Sequence, residues 1–354
     1  MRRKNLTIRD VAERVGVSVS TVSHVLNGND QHVGSAVRKR VMDVVEELNY
    51  RPNAIARSMI KRRTATVGLI ITEVGNPLFV PVVEGAEEVL RGQGYHIVLA
   101  SAPDVESEVE AIETLRAQQV DGFIFMSLSF WYPSDHLARL QEDGVPFVVI
   151  NRPISAAEHT GNEINQVQLD DRGAGYSATR HLLDLGHTRI GTVSGPIDGE
   201  PARRSAIERH RGWQEALQER GLSARPEWVV VGDYTYEGGY QAIRQMLARV
   251  EESGVACPTA LFVASDVMAI AALKALHQAG KQVPQDIAIV TAGDPPFATY
   301  TIPSLTTLSL PAPEAGRMAA RILLDWFKEG KPARAQHVTL SFTLKVRESC
   351  GALA

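Results

Sequence analysis

Two patterns of apolar residues divide the chain into a short helical part and a long α/β part. Between residues 6 and 48, apolar residues recur at the three- and four-residue spacing of amphipathic helices. From residue 66 onward, near-continuous apolar runs of four or five residues alternate with amphipathic stretches. Such runs are typical of parallel strands that are buried on both faces of a sheet. The pattern therefore predicts an all-α N-terminal domain followed by an α/β body.

The N-terminal pattern predicts three short helices. Thr7 can cap the first helix, Asp10 adds negative charge to its first turn, and Gly16 can end it. Its expected apolar face consists of Leu6, Ile8, Val11, Ala12 and Val15. Ser18 can cap a second helix, whose inward residues are expected to be Val22, Val25 and Leu26. A third helix over 35–48 is expected to bury Val37, Val41, Val44, Val45 and Leu48.

Two short helices joined by a tight glycine turn indicate a helix-turn-helix. The outward face of the second helix carries small or polar groups, namely Val19, Ser20, Ser23, His24 and Asn27. Such a face suits the major groove, where Val19 can contact a thymine methyl group and Ser20 and His24 can bond base edges. Thr21 and Asn27 are placed for phosphate contacts, and the cap residues Thr7 and Ser18 complete the predicted set. The alternative is a solvated helical hairpin that binds nothing.

The charge distribution favours DNA binding at one end of the chain. Residues 1–63 carry 13 Lys and Arg against 6 Asp and Glu, a net +7, whereas the remainder carries −11. A basic head on an acidic body suits a protein that contacts DNA through its N-terminal domain. A solvated basic tail would produce the same imbalance. The charge therefore supports DNA binding only in combination with the predicted helix-turn-helix.

A short segment follows the predicted DNA-binding domain. Pro52 ends the third helix, and Asn53 can cap a further segment over 54–61. Eight residues are too few for a stable isolated helix, so this hinge is expected to order only when it docks. A plain linker, basic because it is solvated, is the alternative. The predicted domains are thus 1–50, a hinge at 51–63 and a body at 64–354.

The body pattern predicts two successive βαβ arrays. Strands are expected at 67–71, 96–100, 122–126, 147–150, 167–170, 189–193, 228–232, 260–264 and 286–290. Helices are expected at 81–93, 105–118, 134–143, 173–185, 206–220, 237–252 and 267–279. The arrays imply two doubly wound lobes, one over 64–163 with 294–328 and one over 164–293 with 329–354. A last strand at 338–346 is expected to return to the second lobe.

The whole chain resembles the LacI/GalR family of bacterial transcription regulators. The resemblance is carried by TIRDVAERVGVSVSTVSHVLN at 7–27, LNYRPNAIARSM at 48–59, GNPLF at 75–79, LGHTRIG at 185–191, SDVMAIAAL at 265–273, PSLTTL at 303–308 and VRES at 346–349. It implies a repressor that binds a near-palindromic operator in double-stranded DNA as a homodimer. It also implies two lobes of the periplasmic-binding-protein type around a small-molecule effector, such as a sugar or sugar acid.

The resemblance also assigns residues. Val19, Ser20 and His24 match base-reading positions, although many members carry arginine at the position of His24. The hinge contacts are Asn53, Arg57 and Met59, with Met59 in place of the usual leucine wedge in the minor groove. The implied effector contacts are Leu78, Phe79, Asn151, Arg209, Tyr234, Ser265 and Asp294.

Two departures bear on the effector. Gly293 stands where relatives usually carry a ligand-binding aspartate, and Asn151 stands where many carry an acidic residue. Losing both carboxylates predicts a more anionic or less hydroxylated ligand that is held mainly by Arg209. The alternatives are that Phe79 and Tyr234 are core aromatics and that Arg209 pairs with Glu208 or Glu215.

The remaining features limit other functions. The sequence contains no GxSxG, GxxxxGK[ST] or HExxH motif, and its two cysteines do not form a metal motif, so neither catalysis nor a metal or cofactor is predicted. No signal peptide or membrane-spanning run is recognisable, which favours the cytoplasm. The end of the chain soon after residue 349, without a heptad tail, favours a dimer over a tetramer. A solute-binding receptor and a sugar-converting enzyme are the alternative functions.

Overall fold

A computed structural model describes residues 6–26, 32–50, 63–72, 74–126, 135–152, 164–198, 204–330, 332 and 334–352. The chain divides into two units, Met1–Ala65 and Thr66–Ala354. The predicted hinge segment at 54–61 lies outside the described residues. So do the predicted DNA contacts Asn27, Asn53, Arg57 and Met59.

Within its described residues, the N-terminal unit contains three helices: α1 (Ile8–Val15), α2 (Val19–Leu26) and α3 (Ser35–Glu47). Their apolar faces meet at Val11, Val22 and Val41, which are completely buried. Each helix is too short to be stable alone, so this shared core holds the unit together. Leu6 departs from the predicted apolar face, because it precedes α1 and is 42% exposed.

Local sequence signals set the ends of α1 and α2. The backbone N–H and the hydroxyl of Thr7 both donate to the Asp10 carboxylate, at 2.6 and 2.7 Å. Gly16 ends α1 with φ of 76°, a left-handed conformation that glycine adopts without steric cost. The Ser18 hydroxyl oxygen accepts the N–H of Thr21 at 3.1 Å, as expected for a residue that caps α2.

The first lobe is built on a six-stranded parallel sheet with the order β11-β5-β4-β3-β1-β2. Its strands are β1 (Thr66–Ile71), β2 (His96–Ser101), β3 (Gly122–Met126), β4 (Phe147–Ile150), β5 (Asn165–Leu169) and β11 (His337–Leu340). Its helices are α4 (Phe79–Gly92), α5 (Val105–Ala117), α6 (Asp135–Glu142) and α11 (Ala312–Glu329). Because helices cover both faces, β3 and β4 are buried along their full length.

The second lobe repeats this architecture around a sheet with the order β12-β10-β9-β8-β6-β7. Its strands are β6 (Ile190–Ser194), β7 (Val229–Val231), β8 (Ala260–Val263), β9 (Ala288–Ala292), β10 (Thr306–Ser309) and β12 (Thr343–Lys345). Its helices are α7 (Asp171–Asp184), α8 (Arg204–Glu219), α9 (Tyr236–Ser253) and α10 (Asp266–Gln278). Only β12 runs antiparallel to its neighbour in this sheet. The predicted α/β class with two doubly wound lobes is confirmed.

Strand membership differs from the predicted lobe boundaries at three places. The chain stays in the first sheet through β5, which pairs with β4 and does not open the second lobe. β10 belongs to the second sheet, and only the following α11 returns to the first lobe. The predicted last strand at 338–346 is two strands, of which β11 pairs with β5 and β12 pairs with β10. Apolar periodicity identifies a strand but does not specify the sheet it joins.

Three crossovers therefore connect the lobes, after β5, after β10 and after β11. They bring the carboxyl ends of the strands of both sheets to a shared cleft, the usual position of ligand sites in open α/β folds. No helix within the described parts of the chain is both long and apolar enough to cross a bilayer.

Candidate functional site

One face of α2 presents the residues that were predicted to read DNA. Val19 is 39% exposed, and Ser20 and His24 also face solvent, whereas Val22 and Val25 are buried on the opposite side. The Ser18 hydroxyl lies 2.7 Å from that of Ser20 and 2.8 Å from that of Thr21. These groups form a polar, hydroxyl-rich surface at the start of a helix.

Two other predicted DNA contacts, Ser23 and Thr7, lie outside this exposed face of α2. Ser23 is half-buried on α2, near the exposed face. Thr7 precedes α1, and its backbone N–H and hydroxyl are both engaged by Asp10.

A cavity, here called the inner cavity, lies in the cleft of the second unit. Both lobes contribute to its wall, because Asn76 and Leu78 follow β1 while the remaining residues come from the second lobe and the crossovers. The second-lobe and crossover residues are Ser205, Arg209, Tyr234, Ser265, Asp266, Val267, Ala292, Gly293, Leu310 and Phe342.

Arg209 is the central charged residue of the inner cavity. It is 9% exposed, and its Nε donates to Asp171 Oδ1 at 2.8 Å while its Nη1 donates to the carbonyl of Ala264 at 2.5 Å. Burial disfavours its charged form, but the Asp171 carboxylate more than offsets this, and the pKa of Arg209 lies above its ordinary value. The guanidinium is therefore fixed in position and carries its charge.

The expected alternatives for Arg209 are wrong because other arginines occupy both carboxylates. Glu208 pairs with Arg211, and Glu215 pairs with Arg172. Asn151 supports the Arg209–Asp171 pair from the first lobe, since its Nδ2 donates to Asp171 Oδ2 at 3.1 Å. Asn151 is not part of the wall of the inner cavity. It therefore acts on the site through Asp171.

Two glycines allow α7 and α8 to approach closely enough to form this pair. A Cβ atom at Gly175 of α7 would lie 2.0 Å from the carbonyl oxygen of Arg209. A Cβ atom at Gly212 of α8 would lie 2.0 Å from the carbonyl oxygen of Arg172. Both distances are impossible for real atoms, so each helix offers a bare backbone at the contact. This close packing of the two helices brings Arg209 within hydrogen-bonding distance of Asp171.

Asp266 adds a second carboxylate to the inner cavity. Its Oδ1 accepts the N–H of Val267 at 2.7 Å, and its Oδ2 would lie 2.6 Å from a Cβ atom at Gly293. Burial is the main reason that the pKa of Asp266 rises from 3.8 to about 6. A carboxylate from α10 thus lies directly against the position where the family usually carries an aspartate.

Asp294 has a structural role that differs from its predicted effector contact. It does not line the inner cavity, because its carboxylate accepts from Arg347 at 2.6 Å, Lys345 at 2.5 Å and Thr307 at 2.9 Å. Its side chain is 8% exposed. Burial opposes ionisation, but the bonds from Lys345 and Arg347 prevail and lower the pKa of Asp294 to about 2.

The other predicted effector residues divide into lining and core positions. Leu78, Tyr234 and Ser265 line the inner cavity. Tyr234 has φ of 67°, and Ser265 also caps α10 by accepting the N–H of Met268 at 3.3 Å. Phe79 is 1% exposed and does not line the cavity, so it is a core aromatic, the alternative role considered above.

Sequence reasoning missed several residues of the site. Asp171 and Asp266 each follow a buried strand, which is the signal that could have identified them. Asn76 belongs to the GNPLF motif, but neither Ser205 nor Phe342 has a recognisable local signature. The ring of Phe342 lies 5.6 Å from the guanidinium carbon of Arg209 and comes from the third crossover. Its placement depends on the tertiary fold.

Comparisons with known proteins match both units. Residues 7–53 match the family of bacterial regulatory proteins of the lacI type, and residues 179–350 match a periplasmic binding protein-like domain. The chain is 33% identical to catabolite control protein A of Priestia megaterium over 98% of this chain and 99% of that protein.

Two solved structures resemble this chain along almost its full length. A complex of the transcriptional regulator CelR with cellobiose is 34% identical, with a TM-score of 0.72 over 97% of this chain and 99% of that one. The Lac repressor dimer bound to operator and the anti-inducer ONPF is 27% identical, with a TM-score of 0.82. That match covers 98% of this chain and 99% of the Lac repressor chain. This chain belongs to the LacI family of bacterial regulatory proteins and is a DNA-binding transcriptional regulator.

Proposed function

We propose that this protein is a homodimeric repressor whose affinity for its operator is set by a neutral, polyhydroxylated metabolite in the inner cavity. The observation that carries this proposal is the buried Arg209–Asp171 pair in a cleft lined by both lobes. A ligand that bridges the lobes favours one relative arrangement of them. It can therefore shift the population that binds DNA by its differential affinity for the two states.

The charges of the inner cavity favour a neutral ligand over a sugar acid or phosphate. The positive charge of Arg209 is matched by Asp171, and Asp266 adds a further carboxylate beside Gly293. An anionic group would face Asp266 as well as Arg209, and like charges at close range repel. Neutral hydroxyls suit the site better, because they can donate to Asp266 and accept from Arg209. The ligands named for two solved relatives, cellobiose and ONPF, agree with this choice.

The N-terminal unit supplies the DNA contact. Two copies of α2 would enter successive major grooves of a near-palindromic operator, with Ser20 and His24 at base edges and Ser18 and Thr21 near phosphates. The predicted hinge contacts Asn53, Arg57 and Met59 would enter the minor groove between the half-sites. Like its relatives, the protein would regulate without converting its ligand, and it would act in the cytoplasm where its operator lies.

The experiment that tests this function is a titration of a labelled fragment from the promoter of the protein's own gene. Neutral sugars, gluconate, glucuronate and glucose 6-phosphate would be compared at matched ionic strength. We expect tighter binding to the promoter than to a scrambled fragment, and a change in that affinity with a neutral sugar. Equal binding to both fragments would exclude a regulator of this kind. A larger change in operator affinity with a sugar acid or sugar phosphate would exclude a neutral ligand but would leave the regulatory function intact.

A further inference from the structure

A buried cluster of charged and polar side chains in the first lobe has no role in the function proposed so far. It consists of Glu108, His136 and Arg152, all of which are buried. Glu108 lies in the first turn of α5, His136 lies at the start of α6, and Arg152 follows β4. The cluster is therefore at the carboxyl end of the first sheet. None of its three residues lines the inner cavity, so any effect on that cavity must pass through a neighbouring residue.

Glu108 holds this cluster together. Its Oε1 accepts from Arg152 Nη1 at 2.5 Å and from His136 Nε2 at 2.5 Å. Burial alone would raise the pKa of Glu108, but the bond from His136 and the charge of Arg152 lower it below its ordinary value. Glu108 is thus ionised and anchors the Arg152 guanidinium to α5. A buried ion pair adds little stability over apolar side chains of similar size, so its main effect here is to fix the position of Arg152.

The residue before Arg152 is Asn151, whose backbone has an unusual conformation. Asn151 has φ of 50°, in the left-handed region that residues other than glycine rarely adopt. Its N–H donates to the carbonyl of Val167 at 2.8 Å, and its Oδ1 accepts the N–H of Leu169 at 3.3 Å. Such a conformation persists only where the surrounding structure imposes it. The anchored side chain of Arg152, one peptide unit away, helps to impose it.

Asn151 also connects the cluster to the effector site. Its Nδ2 donates to Asp171 Oδ2 at 3.1 Å, while Asp171 Oδ1 accepts from Arg209 Nε at 2.8 Å. Arg209 donates in turn to the carbonyl of Ala264, which follows β8 in the second lobe. A continuous series of polar contacts thus runs from α5, through Arg152 and Asn151, to the second lobe. Contiguous contacts of this kind can couple two sites that do not touch.

We propose that Arg152 is a positioning residue for the effector site, although it does not line the inner cavity. Anchored by Glu108, it holds Asn151 in the conformation that presents the side-chain amide to Asp171. The Asn151–Asp171 bond then keeps the two lobes in one relative arrangement. Loss of the anchor weakens that bond, shifts the arrangement of the lobes and changes the affinity for the operator. This inference rests on the proposed function, because it assigns a remote residue to the control of the same site.

Hydrogen–deuterium exchange of the full-length protein, followed by mass spectrometry, tests the inference and requires no ligand. The reporter is the amide of Leu169, in peptides that cover residues 165–172, because it donates to the Asn151 side chain. Arg152→Met should raise its exchange rate about fivefold or more, since that bond opens more often. Arg116→Met is the matched control. Arg116 also lies on α5 and pairs with Asp143 at 2.8 Å, but this pair is exposed, so its loss should not change exchange at 165–172.

Two further variants separate positioning from stability. The double variant Glu108→Met/Arg152→Met removes both buried charges, so it should resist urea about as well as the native chain and still exchange faster at 165–172. Arg152→Lys keeps a cation beside Glu108 and should restore most of the protection, because the Arg152–Glu108 bond uses a single nitrogen. Native exchange at 165–172 in the folded double variant would overturn the inference. So would fast exchange that Arg152→Lys does not reduce.

Operator binding of the same variants, measured without ligand, distinguishes this inference from the proposed function. The double variant should bind the fragment from its own promoter with an affinity changed about fivefold or more, and it should still prefer that fragment to a scrambled one. Unchanged affinity in the double variant would refute control through Arg152 alone. A native chain that does not prefer the promoter fragment would refute the proposed function.

Discussion

Arg209 and Asp171 lie 2.8 Å apart at the centre of the cleft, with side chains that are 10% and 6% exposed. They come from two helices whose backbones touch, α8 and α7, and Asn151 of the first lobe donates to the same carboxylate. A buried pair of this kind fixes geometry, and its disruption leaves a charge without a partner. The stability of the second lobe and the proposed ligand site therefore depend on the same interaction.

Arg209→Met should destabilise the body by about 3–5 kcal/mol, because Asp171 would remain buried without its counter-charge. Arg209→Lys should cost less but should still abolish the response of operator binding to sugars, since an ammonium cannot reach Asp171 and the Ala264 carbonyl together. Urea unfolding and operator titration measure the two effects. Arg211→Met is the control. The ion pair between Arg211 and Glu208 is exposed, so its loss should change neither the free energy of unfolding nor the sugar response appreciably. Equal losses in the Arg209 and Arg211 variants would contradict the prediction.

Gly175→Ala should destabilise the body by roughly 1–3 kcal/mol, because the added methyl group overlaps the carbonyl of Arg209 and forces the two helices apart. Sugar affinity should fall as well, since Arg209 moves with α8. Gly92→Ala provides the comparison. That glycine lies in α4 with nothing within 4 Å of an added Cβ atom, so the substitution should be neutral or stabilising. Thermal unfolding and calorimetric titration of both variants are the measurements, and similar behaviour of the two would argue against close backbone packing.

Asp266 should make the body less stable as pH rises from about 4 to 6. Its folded pKa of about 6 exceeds its ordinary value of 3.8, so its contribution is complete below pH 4 and is lost as the carboxyl ionises. Asp266→Asn should remove this decline and exceed the native chain in stability at pH 7 by about 1–3 kcal/mol. Urea unfolding at pH 4, 5, 6 and 7 tests the sign.

The carboxyl of Asp294 should change the stability of the body with pH in the opposite direction to that of Asp266. Its pKa is lowered to about 2, so its contribution is complete above its ordinary value of 3.8 and is lost as pH falls toward 2. Asp294→Asn should therefore be destabilising at pH 7, and the deficit should shrink in acid. If both variants showed the same pH profile, the environments assigned to the two carboxyls would be wrong.

His24→Ala should reduce discrimination between the operator and mutated operators by about 1–3 kcal/mol, because the exposed imidazole on α2 is assigned to a base edge. Lys61→Ala, at the end of the predicted hinge segment, should weaken binding to every sequence and lower the salt dependence by about one phosphate contact. Fluorescence anisotropy at several salt concentrations distinguishes the two. A uniform loss across all sequences with His24→Ala would remove this residue from the base-reading set.

Local sequence determined the helices, the strands and the surface of α2. The spacing of Val22, Val25 and Leu26 specified which side of α2 faces the core, because burial requires a continuous apolar face. Runs such as 122–126 and 147–150 identified strands with correct bounds, since both of their faces are covered. The resemblance to the family supplied the position of Arg209 but not its partner.

The tertiary structure decided which sheet each strand joins and what each charge faces. β5, β10 and β11 could each extend either sheet by their own sequence, and only the three crossovers select one. Asp171 pairs with Arg209 because two glycines bring their helices together, and Asp294 is neutralised by residues more than fifty positions away along the chain. Periodicity reports the burial of a residue's own side chain, whereas the partner of a charge depends on chain segments that are distant in sequence.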